Sequence, residues 1–323
     1  FEVWSGVPIR RIGILYPESS WWYFVGTPVY AAAVFLWLVR HQPSVIHASD
    51  VEGMAGVALY RLVGGRARIL FNIHDNFALR YSVPRWVRRV LSWCEATLGR
   101  AADVVLLPDE QRLKLLAPWT PRVTLIVPNS PPDPGVSPLT PARLVRLFAP
   151  GWLSWRRGYQ SLGGLVMSRD DVELIICGSG SDEVVAFVRS LPRCEYHGYV
   201  SQKEALVIGR TCHLIAAFYD PAVEINRYAS SNKVFDAMAL GRPVITNDGI
   251  AIAEWVRTHG IGFVIPYGDT EALVGLVEEL HSNPEVAAEI GRRARSLYER
   301  EFDWKALKTR LSRAFWPDTT AGA

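Results

Sequence analysis

Residues 228–244, YASSNKVFDAMALGRPV, combine residue types that could hold an anion. The apolar positions predict a helix that ends at Gly241, because Pro243 cannot continue it. The first turn then falls on three small polar residues: Ser230, Ser231 and Asn232. The unpaired backbone N–H groups of a first turn and the helix dipole together attract negative charge. This spacing therefore indicates a binding site for a phosphate-like group.

Two charged residues follow on the same predicted helix. Lys233 adds a positive charge beside the first turn, and Asp236, one turn further, could accept hydrogen bonds from a sugar hydroxyl. A serine-capped helix with a solvated Lys/Asp pair accounts for the same residues. The pattern taken alone leaves both interpretations open.

Two further strand-to-helix turns favour the anion site. Gly151 follows a predicted strand and precedes Arg156 and Arg157 at a helix start, where a guanidinium could hold a diphosphate through two hydrogen bonds. Gly178 and Gly180 follow the next buried strand, where glycine permits close backbone approach. Three such turns in one half of the chain predict a nucleotide-type ligand.

The elements that must position these turns alternate along the whole chain. Short apolar runs predict strands at 10–17, 44–49, 67–75, 102–108 and 123–129, with helices at 29–40, 52–64 and 85–100 between them. A second alternation predicts strands at 144–153, 172–178, 193–199, 212–219, 243–248 and 262–267, again separated by helices. Such alternation is typical of parallel sheets covered by helices.

A proline-rich segment, 128–142, separates the two alternations, because neither a helix interior nor a central strand accepts that many prolines. We therefore expect an α/β protein with two Rossmann-like, doubly wound domains, 1–138 and 139–301, facing across a cleft that holds the active site. An amphipathic helix over 302–323 should pack back toward the first domain. The opening residues lack a clear buried strand with a glycine-rich turn, so we expect the chain to begin after that strand.

Composition limits the class of protein. The chain has 323 residues, 49% apolar and 21% charged, with a net charge of +3. Residues 1–138 hold 14 Lys/Arg against 10 Asp/Glu and seven of the twelve tryptophans. This balance suits an anionic membrane surface or acceptor, but is too weak for a nucleic-acid binder. The four cysteines form no CxxC pair or disulfide framework, which predicts reduced thiols in a cytoplasmic protein.

The uncharged segment 19–39 could be mistaken for a membrane span. Thr27 is a plausible N-cap and Pro28 suits the first helical position, which predicts a helix of about a dozen residues, short of the roughly 20 needed to cross a bilayer. We favour a buried helix; a half-exposed face touching a membrane is the alternative, with Trp21, Trp22 and Trp37 at the interface.

The order of motifs resembles the retaining GT-B glycosyltransferases, in particular the family 4-like group that includes bacterial cell-surface polysaccharide enzymes. VIHASD, ADVVLLPDEQRLKLL and VTLIVPNSP are similar to conserved passages of that group's first domain. GWLSWRRGYQSL resembles its phosphate loop, CGSGSDEVV its GxGP turn, and ASSNKVFDAMALGRPVI its SPNKLFEAMAxGKPVI motif. The last motif is the most specific.

The resemblance implies particular roles. Asp236 would bind the ribose of a nucleotide-diphosphate sugar, while Arg157, Lys233 and the helix start would hold its diphosphate. The base would meet the segment 197–201. The remaining donor-binding candidates are Gly151, Gly178, Gly180, His197, Tyr199, Asn226, Ser230, Ser231 and Asn232. On the acceptor side, His74 matches a family histidine near the donor sugar, and a strand-end histidine satisfied by its neighbours is the alternative. Asp50 and Asp75 could orient the acceptor, although both also suit a turn or a cap.

One departure concerns the sugar-reading residues. The family's first glutamate falls on Tyr228, and Glu224 or Asn226 could take its place.

The resemblance implies a hexosyltransferase that acts with retention of configuration. We expect it to act without a metal, since no Asp-x-Asp motif or His/Cys ligand spacing occurs. No cofactor is expected beyond the donor substrate. The acceptor would be a lipid-linked glycan, and the protein would lie on the inner face of the plasma membrane. The helix 85–100 would contact anionic lipid through Arg85, Arg88 and Arg89. A solvated charged face is the alternative interpretation of this helix. A nucleotide-sugar epimerase and a catalytically silent scaffold or partner subunit remain as rival functions.

Overall fold

The structure, a computed structural model, describes residues 2–4, 7–9, 20–81, 83–138 and 143–316, with side chains from residue 26 onward. The chain forms two compact units. The first unit comprises residues 1–127 and 311–323, and the second unit comprises residues 128–310. The strand predicted at 10–17 and two of the three tryptophans predicted at a membrane interface, Trp21 and Trp22, lie outside the residues whose side chains are described. The third, Trp37, is 37% exposed.

The first unit contains a four-stranded parallel sheet in the order β3-β4-β5-β6, and a separate antiparallel pair, β1-β2. Its elements are β1 (Glu2–Trp4), β2 (Val7–Ile9), α1 (Ser20–His41), β3 (Val45–Ser49), α2 (Asp50–Leu62), β4 (Arg68–Asn72), α3 (Arg85–Gly99), β5 (Val104–Leu107) and β6 (Thr124–Ile126). Short 3₁₀ helices lie at Phe77–Leu79 and Glu110–Leu116.

The second unit contains a six-stranded parallel sheet. Its elements are β7 (Val145–Pro150), α4 (Tyr159–Ser168), β8 (Val172–Cys177), α5 (Asp182–Ser190), β9 (Cys194–Tyr196), α6 (Gln202–Gly209), β10 (Leu214–Ala217), α7 (Asn232–Leu240), β11 (Val244–Asn247), α8 (Ala251–His259), β12 (Gly262–Ile265), α9 (Thr270–Ser282) and α10 (Pro284–Leu297). Short 3₁₀ helices at Trp155–Arg157 and Glu224–Tyr228 precede α4 and α7, and a π-helical turn at Tyr298–Phe302 follows α10. The last helix, α11 (Trp304–Phe315), crosses the unit boundary.

The predicted α/β class and the two parallel sheets are confirmed, because each predicted apolar run that the structure describes contains a strand of one of the two sheets. The central strands β10 and β11 are buried at every position, as expected for parallel strands covered on both faces. Two apolar clusters fill the two sides of the second unit's sheet. In the first unit the larger cluster joins the sheet to α1, α2 and α3, and a smaller one receives Leu311, Ala314 and Phe315 from α11.

The prediction for α1 was wrong about its start. The helix begins at Ser20 instead of Thr27, runs for 22 residues and carries Pro28 inside it. Extending an existing helix through a proline costs one backbone hydrogen bond and some strain, whereas ending one helix and nucleating another costs a whole first turn. Among the described residues, no helix combines the length and the apolarity that crossing a bilayer requires.

Candidate functional site

The strand order of the second unit locates its ligand crevice. The strand order is β12-β11-β10-β7-β8-β9. From β7 the chain adds β8 and β9 toward one edge of the sheet, and it then returns to the other side of β7 to add β10, β11 and β12 toward the opposite edge. In open α/β sheets, ligands bind outside the carboxyl ends of the strands at such a switch point. The residues that follow β7, β8 and β10 are therefore the first to consider.

Glycines allow the turns after β7 and β8 to lie against each other. Gly151 has φ +115° and Gly178 has φ +137°, and a Cβ at Gly178 would overlap the carbonyl oxygen of Gly151. The N–H of Gly151 donates to Cys177 O, and that of Gly178 to Gly198 O, each at 2.7 Å. Since both amides already have partners, these two glycines shape the crevice instead of offering their N–H groups to a ligand.

Gly180 has a comparable role beside them. Its backbone pairs with Leu153, and a Cβ at Gly180 would overlap the Leu153 carbonyl.

Two cationic side chains meet on one aromatic ring in this crevice. The guanidinium carbon of Arg157 lies 4.1 Å from the ring centroid of Tyr219, and the ammonium nitrogen of Lys233 lies 5.6 Å from it. Lys233 also passes over Gly151, where the lysine Cε lies 3.1 Å from the position that a Cβ would occupy. The sequence-predicted residues Gly151, Arg157 and Lys233 are thus brought together.

Tyr219, which sequence reasoning missed, holds this group in place. Its hydroxyl donates to Ser231 Oγ at 2.9 Å, and its backbone N–H donates to Asn247 Oδ1 at 2.8 Å. Asn247 is fully buried and donates back to the Tyr219 carbonyl at 3.0 Å. The available signal was position, since Tyr219 closely follows strand β10 and Asn247 ends strand β11.

The helix start is where the sequence predicted it, but the hydroxyl of its N-cap serine makes no capping hydrogen bond. Ser231 is the N-cap of α7 and the helix ends at Gly241 with φ +63°. The Ser231 hydroxyl makes no capping bond and accepts the Tyr219 hydroxyl instead. The interpretation as a helix capped by a serine side chain is therefore wrong, because this hydroxyl contacts Tyr219 and no backbone N–H of the first turn.

Three buried polar atoms around this helix start have no hydrogen-bond partner among the described residues: Arg157 Nη1, Ser230 Oγ and Asp236 Oδ1. A buried polar atom without a partner costs about 1–3 kcal/mol. Two of the three can donate and one accepts. The set fits a ligand that brings both anionic oxygens and hydroxyl groups.

The charges of the site respond to burial. Desolvation, helped by the nearby Arg157 charge, lowers the pKa of Lys233 to about 7, although Asp236 opposes the shift. Desolvation raises the pKa of Asp236 to about 7, against a hydrogen bond from Gln202 and the charge of Lys233. An arriving anion would favour the ammonium form of Lys233, so the site is poised to gain positive charge on binding.

The remaining donor-side candidates have more varied surroundings. His197 Nε2 lies 3.1 Å from Glu195 Oε1, and Tyr199 is 83% exposed. Asn226 is buried and its amide donates to Asp220 O at 3.0 Å, so it holds its own loop. Asn232 is exposed at the start of α7. Tyr228, where the family's glutamate would fall, is half-buried.

The first unit gathers its predicted residues at the ends of β3 and β4. Asp50, at φ +55°, accepts the His74 N–H at 3.0 Å and lies 3.4 Å from His74 Nδ1. Arg80, which the sequence did not indicate, pairs with Asp50 at 2.6 Å and with Glu52 at 3.2 Å. Asp50 therefore fixes the position of the His74 loop, which is more than the turn or cap role expected of it.

Asp75 has a partner that lies far away in sequence. The nearly buried Arg112 pairs with Asp75 Oδ1 at 2.9 Å and also donates to the His74 carbonyl. Nearby, the buried Glu95 accepts from Asn76 Nδ2 at 2.9 Å and from the Phe77 N–H at 3.1 Å. Burial raises the pKa of Glu95 to about 7. Arg112 and Glu95 brace the two sides of the 74–79 loop.

Within the described residues, no group of three or more His, Cys, Asp or Glu side chains is arranged to hold a metal ion. In the first unit, the charged side chains around His74 are instead paired acid to base. In the second unit, Arg157 and Lys233 form a cationic pair on Tyr219.

Comparison with known proteins agrees with this fold. Residues 1–131 match the glycosyl transferase 4-like domain, and residues 160–283 match the glycosyl transferases group 1 family. The two models together account for most of the chain, which belongs to the family 4-like glycosyltransferases of GT-B fold.

A curated relative is the phosphatidyl-myo-inositol mannosyltransferase of Mycobacterium leprae, 26% identical over 163 residues, or 50% of this chain. The match spans only 42% of that relative's length.

Two solved structures illustrate the likeness in fold. The sucrose-phosphate synthase of Thermosynechococcus elongatus superposes with a TM-score of 0.72 at 16% identity, covering 93% of this chain and 79% of that one. Anabaena HepE in complex with UDP-glucose gives 0.68 at 16% identity, covering 88% and 80%. At these identities the likeness shows the GT-B fold alone.

Proposed function

We propose that this protein transfers a hexosyl group from a nucleoside-diphosphate sugar to a lipid-linked glycan during synthesis of a surface polysaccharide or glycolipid. The transfer proceeds with retention of configuration and without a metal ion. The observation that carries the proposal is the set of side chains at the switch point. Arg157 and Lys233 both contact the Tyr219 ring, and beside them Ser230 Oγ and Asp236 Oδ1 have no hydrogen-bond partner among the described residues.

The chemistry follows from the charge that develops. The bond between the anomeric carbon and the diphosphate breaks, and the diphosphate leaves with its electron pair as an anion. Arg157 and Lys233 stabilise that anion, since fixed charges in a desolvated site need no reorganisation as the reaction proceeds. The acceptor oxygen bonds to the anomeric carbon and gives its proton to the departing phosphate on the same face. Asp236 accepts from a ribose hydroxyl.

The acceptor side rests on the first unit. The cluster of Asp50, His74 and Asp75, held by Arg80 and Arg112, offers carboxylates and an imidazole that can bind sugar hydroxyls. The name of the mycobacterial relative, a phosphatidyl-myo-inositol mannosyltransferase, supports a lipid acceptor. We place the protein peripherally on the inner face of the plasma membrane, with α3 toward anionic lipid.

A thermal-shift panel tests the donor site. UDP, GDP, TDP and their sugars are added with and without Mg²⁺ to the wild type, to Lys233→Ala and to Lys203→Ala, a control at an exposed lysine of α6. A ligand at about 100 times its Kd stabilises the protein by about 2.7 kcal/mol. We expect a rise in Tm with one diphosphate, independent of Mg²⁺, lost in Lys233→Ala and kept in Lys203→Ala.

The absence of a shift with every nucleotide would refute the transferase proposal and favour the scaffold. A shift that Lys233→Ala retains would move the donor site away from the switch point. Transfer of label from the stabilising sugar nucleotide to a membrane lipid extract, followed by NMR of the product anomer, then tests the acceptor class and retention.

A further inference from the structure

A groove of about 460 Å³ lies along α3 in the first unit, and none of the residues assigned to the acceptor or the donor lines it. One wall is α3 itself, and the other is the segment Ala117–Trp119 that follows the second 3₁₀ helix. Trp119 is nearly buried and packs on Gly99, where a Cβ would overlap the indole. The packing of this tryptophan makes the groove part of the folded unit.

The groove is strongly cationic. Four arginines line it, Arg85, Arg88, Arg89 and Arg100, and no acidic residue is among the lining residues that the structure describes. Arg85, Arg89 and Arg100 are exposed, and none of the three forms an ion pair within the described part of the chain. An arginine guanidinium presents donors in a planar fork that matches the oxygens of a phosphate.

An apolar stripe runs beside the groove on the same helix. Trp86, Val90 and Trp93 follow one another at intervals of four and three residues, so they share one face of α3. Their exposures are 69%, 50% and 64%, so all three large apolar side chains face solvent. Trp93 also lines the groove, so the apolar stripe and the cationic groove meet at its indole.

The combination decides the class of ligand. A free phosphate would need only the arginines, whereas a stripe of exposed tryptophans beside them suits a molecule with an apolar part attached to an anionic head. Tryptophan is also the residue that favours the boundary between water and hydrocarbon. We propose that the groove binds the phosphate headgroup of an anionic phospholipid, with Trp86, Val90 and Trp93 entering the acyl boundary.

The proposal rests on the membrane contact of the proposed function and deepens it by giving that contact a defined headgroup site instead of a diffuse basic face. A diffuse face would depend on net charge alone. A groove depends on its shape as well, because the headgroup must enter it.

The experiment separates charge from shape. Binding of soluble dihexanoyl phosphatidic acid, dihexanoyl phosphatidylcholine and inorganic phosphate is measured by calorimetry. The wild type is compared with Arg89→Gln/Arg100→Gln, with Ser92→Trp, and with a charge-matched control, Arg66→Gln/Arg313→Gln. Ser92 lines the groove, so a tryptophan there fills it without changing the charge. Arg66 and Arg313 are exposed arginines of the first unit outside the groove.

We expect saturable binding of dihexanoyl phosphatidic acid that both groove variants weaken at least about tenfold and the control changes less than about twofold. Phosphatidylcholine and inorganic phosphate should bind at least about tenfold more weakly than phosphatidic acid. Equal binding of inorganic phosphate would show a site for a soluble anion and overturn the lipid assignment. Unchanged or tighter binding by Ser92→Trp would overturn the groove in favour of a diffuse face.

Co-sedimentation with vesicles of phosphatidylcholine, with and without phosphatidylglycerol, extends the test to a bilayer, where the same order of variants is expected. The Lys233→Ala variant should bind vesicles like the wild type while losing nucleotide binding. A wild type that binds nucleotide but no lipid would overturn this inference alone, and the converse would overturn the donor site alone. Each variant's Tm, measured first, shows that it is folded.

Discussion

At the scale of single residues, the lowered pKa of Lys233 should make nucleotide binding depend on pH. The pKa of its ammonium is lowered to about 7 by desolvation and by the Arg157 charge. A bound diphosphate brings opposite charge and raises that pKa again. Well below pH 7 the lysine is protonated in both states, and well above pH 7 it gains a proton only on binding.

We therefore predict that binding of the stabilising sugar nucleotide, whose sugar-linked diphosphate does not titrate near pH 7, takes up close to one proton at about pH 8.5 and less at about pH 6. Above pH 7 the affinity should fall by up to about tenfold per pH unit, because the lysine must take up a proton in order to bind and free protons become tenfold scarcer with each unit. Calorimetry in buffers of different ionisation enthalpy measures the uptake. Lys233→Met should bind weakly and without proton uptake at either pH. Uptake that persists in Lys233→Met would assign the proton to another group.

Reasoning from the sequence found the charged residues of the donor site but not the aromatic residue that they contact. Lys233, Arg157 and Asp236 stood out because charged residues at strand-to-helix turns are distinctive. Tyr219 did not, because an aromatic residue after a buried strand is common. Its role depends on Ser231 and Asn247, which reach it from two other elements.

At the scale of elements, the close approach of two turns depends on glycine. Gly178 has φ +137° and faces the carbonyl of Gly151, so any side chain there is both strained and in collision with backbone. Gly268 has φ +82°, but a Cβ there would meet nothing within 4 Å. The two positions separate backbone strain from steric overlap.

Gly178→Ala should lower stability by more than about 2 kcal/mol and abolish the Tm shift with nucleotide, because the turns after β7 and β8 must separate. Gly268→Ala should cost only about 1 kcal/mol and leave the nucleotide shift unchanged. Urea denaturation and the thermal-shift assay measure the two effects. Equal costs at both glycines would show that the contact between the turns contributes nothing.

At the scale of the whole molecule, the proline-rich segment is attached to the second unit along much of its length. Arg295 pairs with Asp133 at 2.8 Å, the Tyr298 hydroxyl donates to Pro131 O at 2.9 Å, and the buried Arg242 donates to Ser137 O at 3.0 Å. The Arg295 hydrogen bonds lower the pKa of Asp133. The structure thus assigns residues 128–138 to the second unit, whereas the sequence prediction counted them in the first domain.

We predict that Arg295→Met destabilises the protein by about 2 kcal/mol and exposes the segment, since it removes charge-assisted hydrogen bonds to Asp133 and Ala239. Limited proteolysis should then cleave between residues 128 and 142 at least several times faster. Arg293→Met is the control, because Arg293 lies on the same helix in an exposed pair with Glu289. Equal cleavage of the two variants would contradict the role of Arg295.

The sequence by itself determined the class of fold, the helix and strand positions of the second unit and the turns that carry its charge. Those properties are local: apolar periodicity, glycine and proline are read within a few residues of one another. Only the tertiary structure decided the strand order that makes β7 the switch point, and the meeting of Arg157 and Lys233 on Tyr219. It also decided the pairing of Asp75 with Arg112 and the groove between α3 and Trp119. Each of these joins residues far apart in sequence, and the energy that fixes them comes from burial and charge in the folded chain.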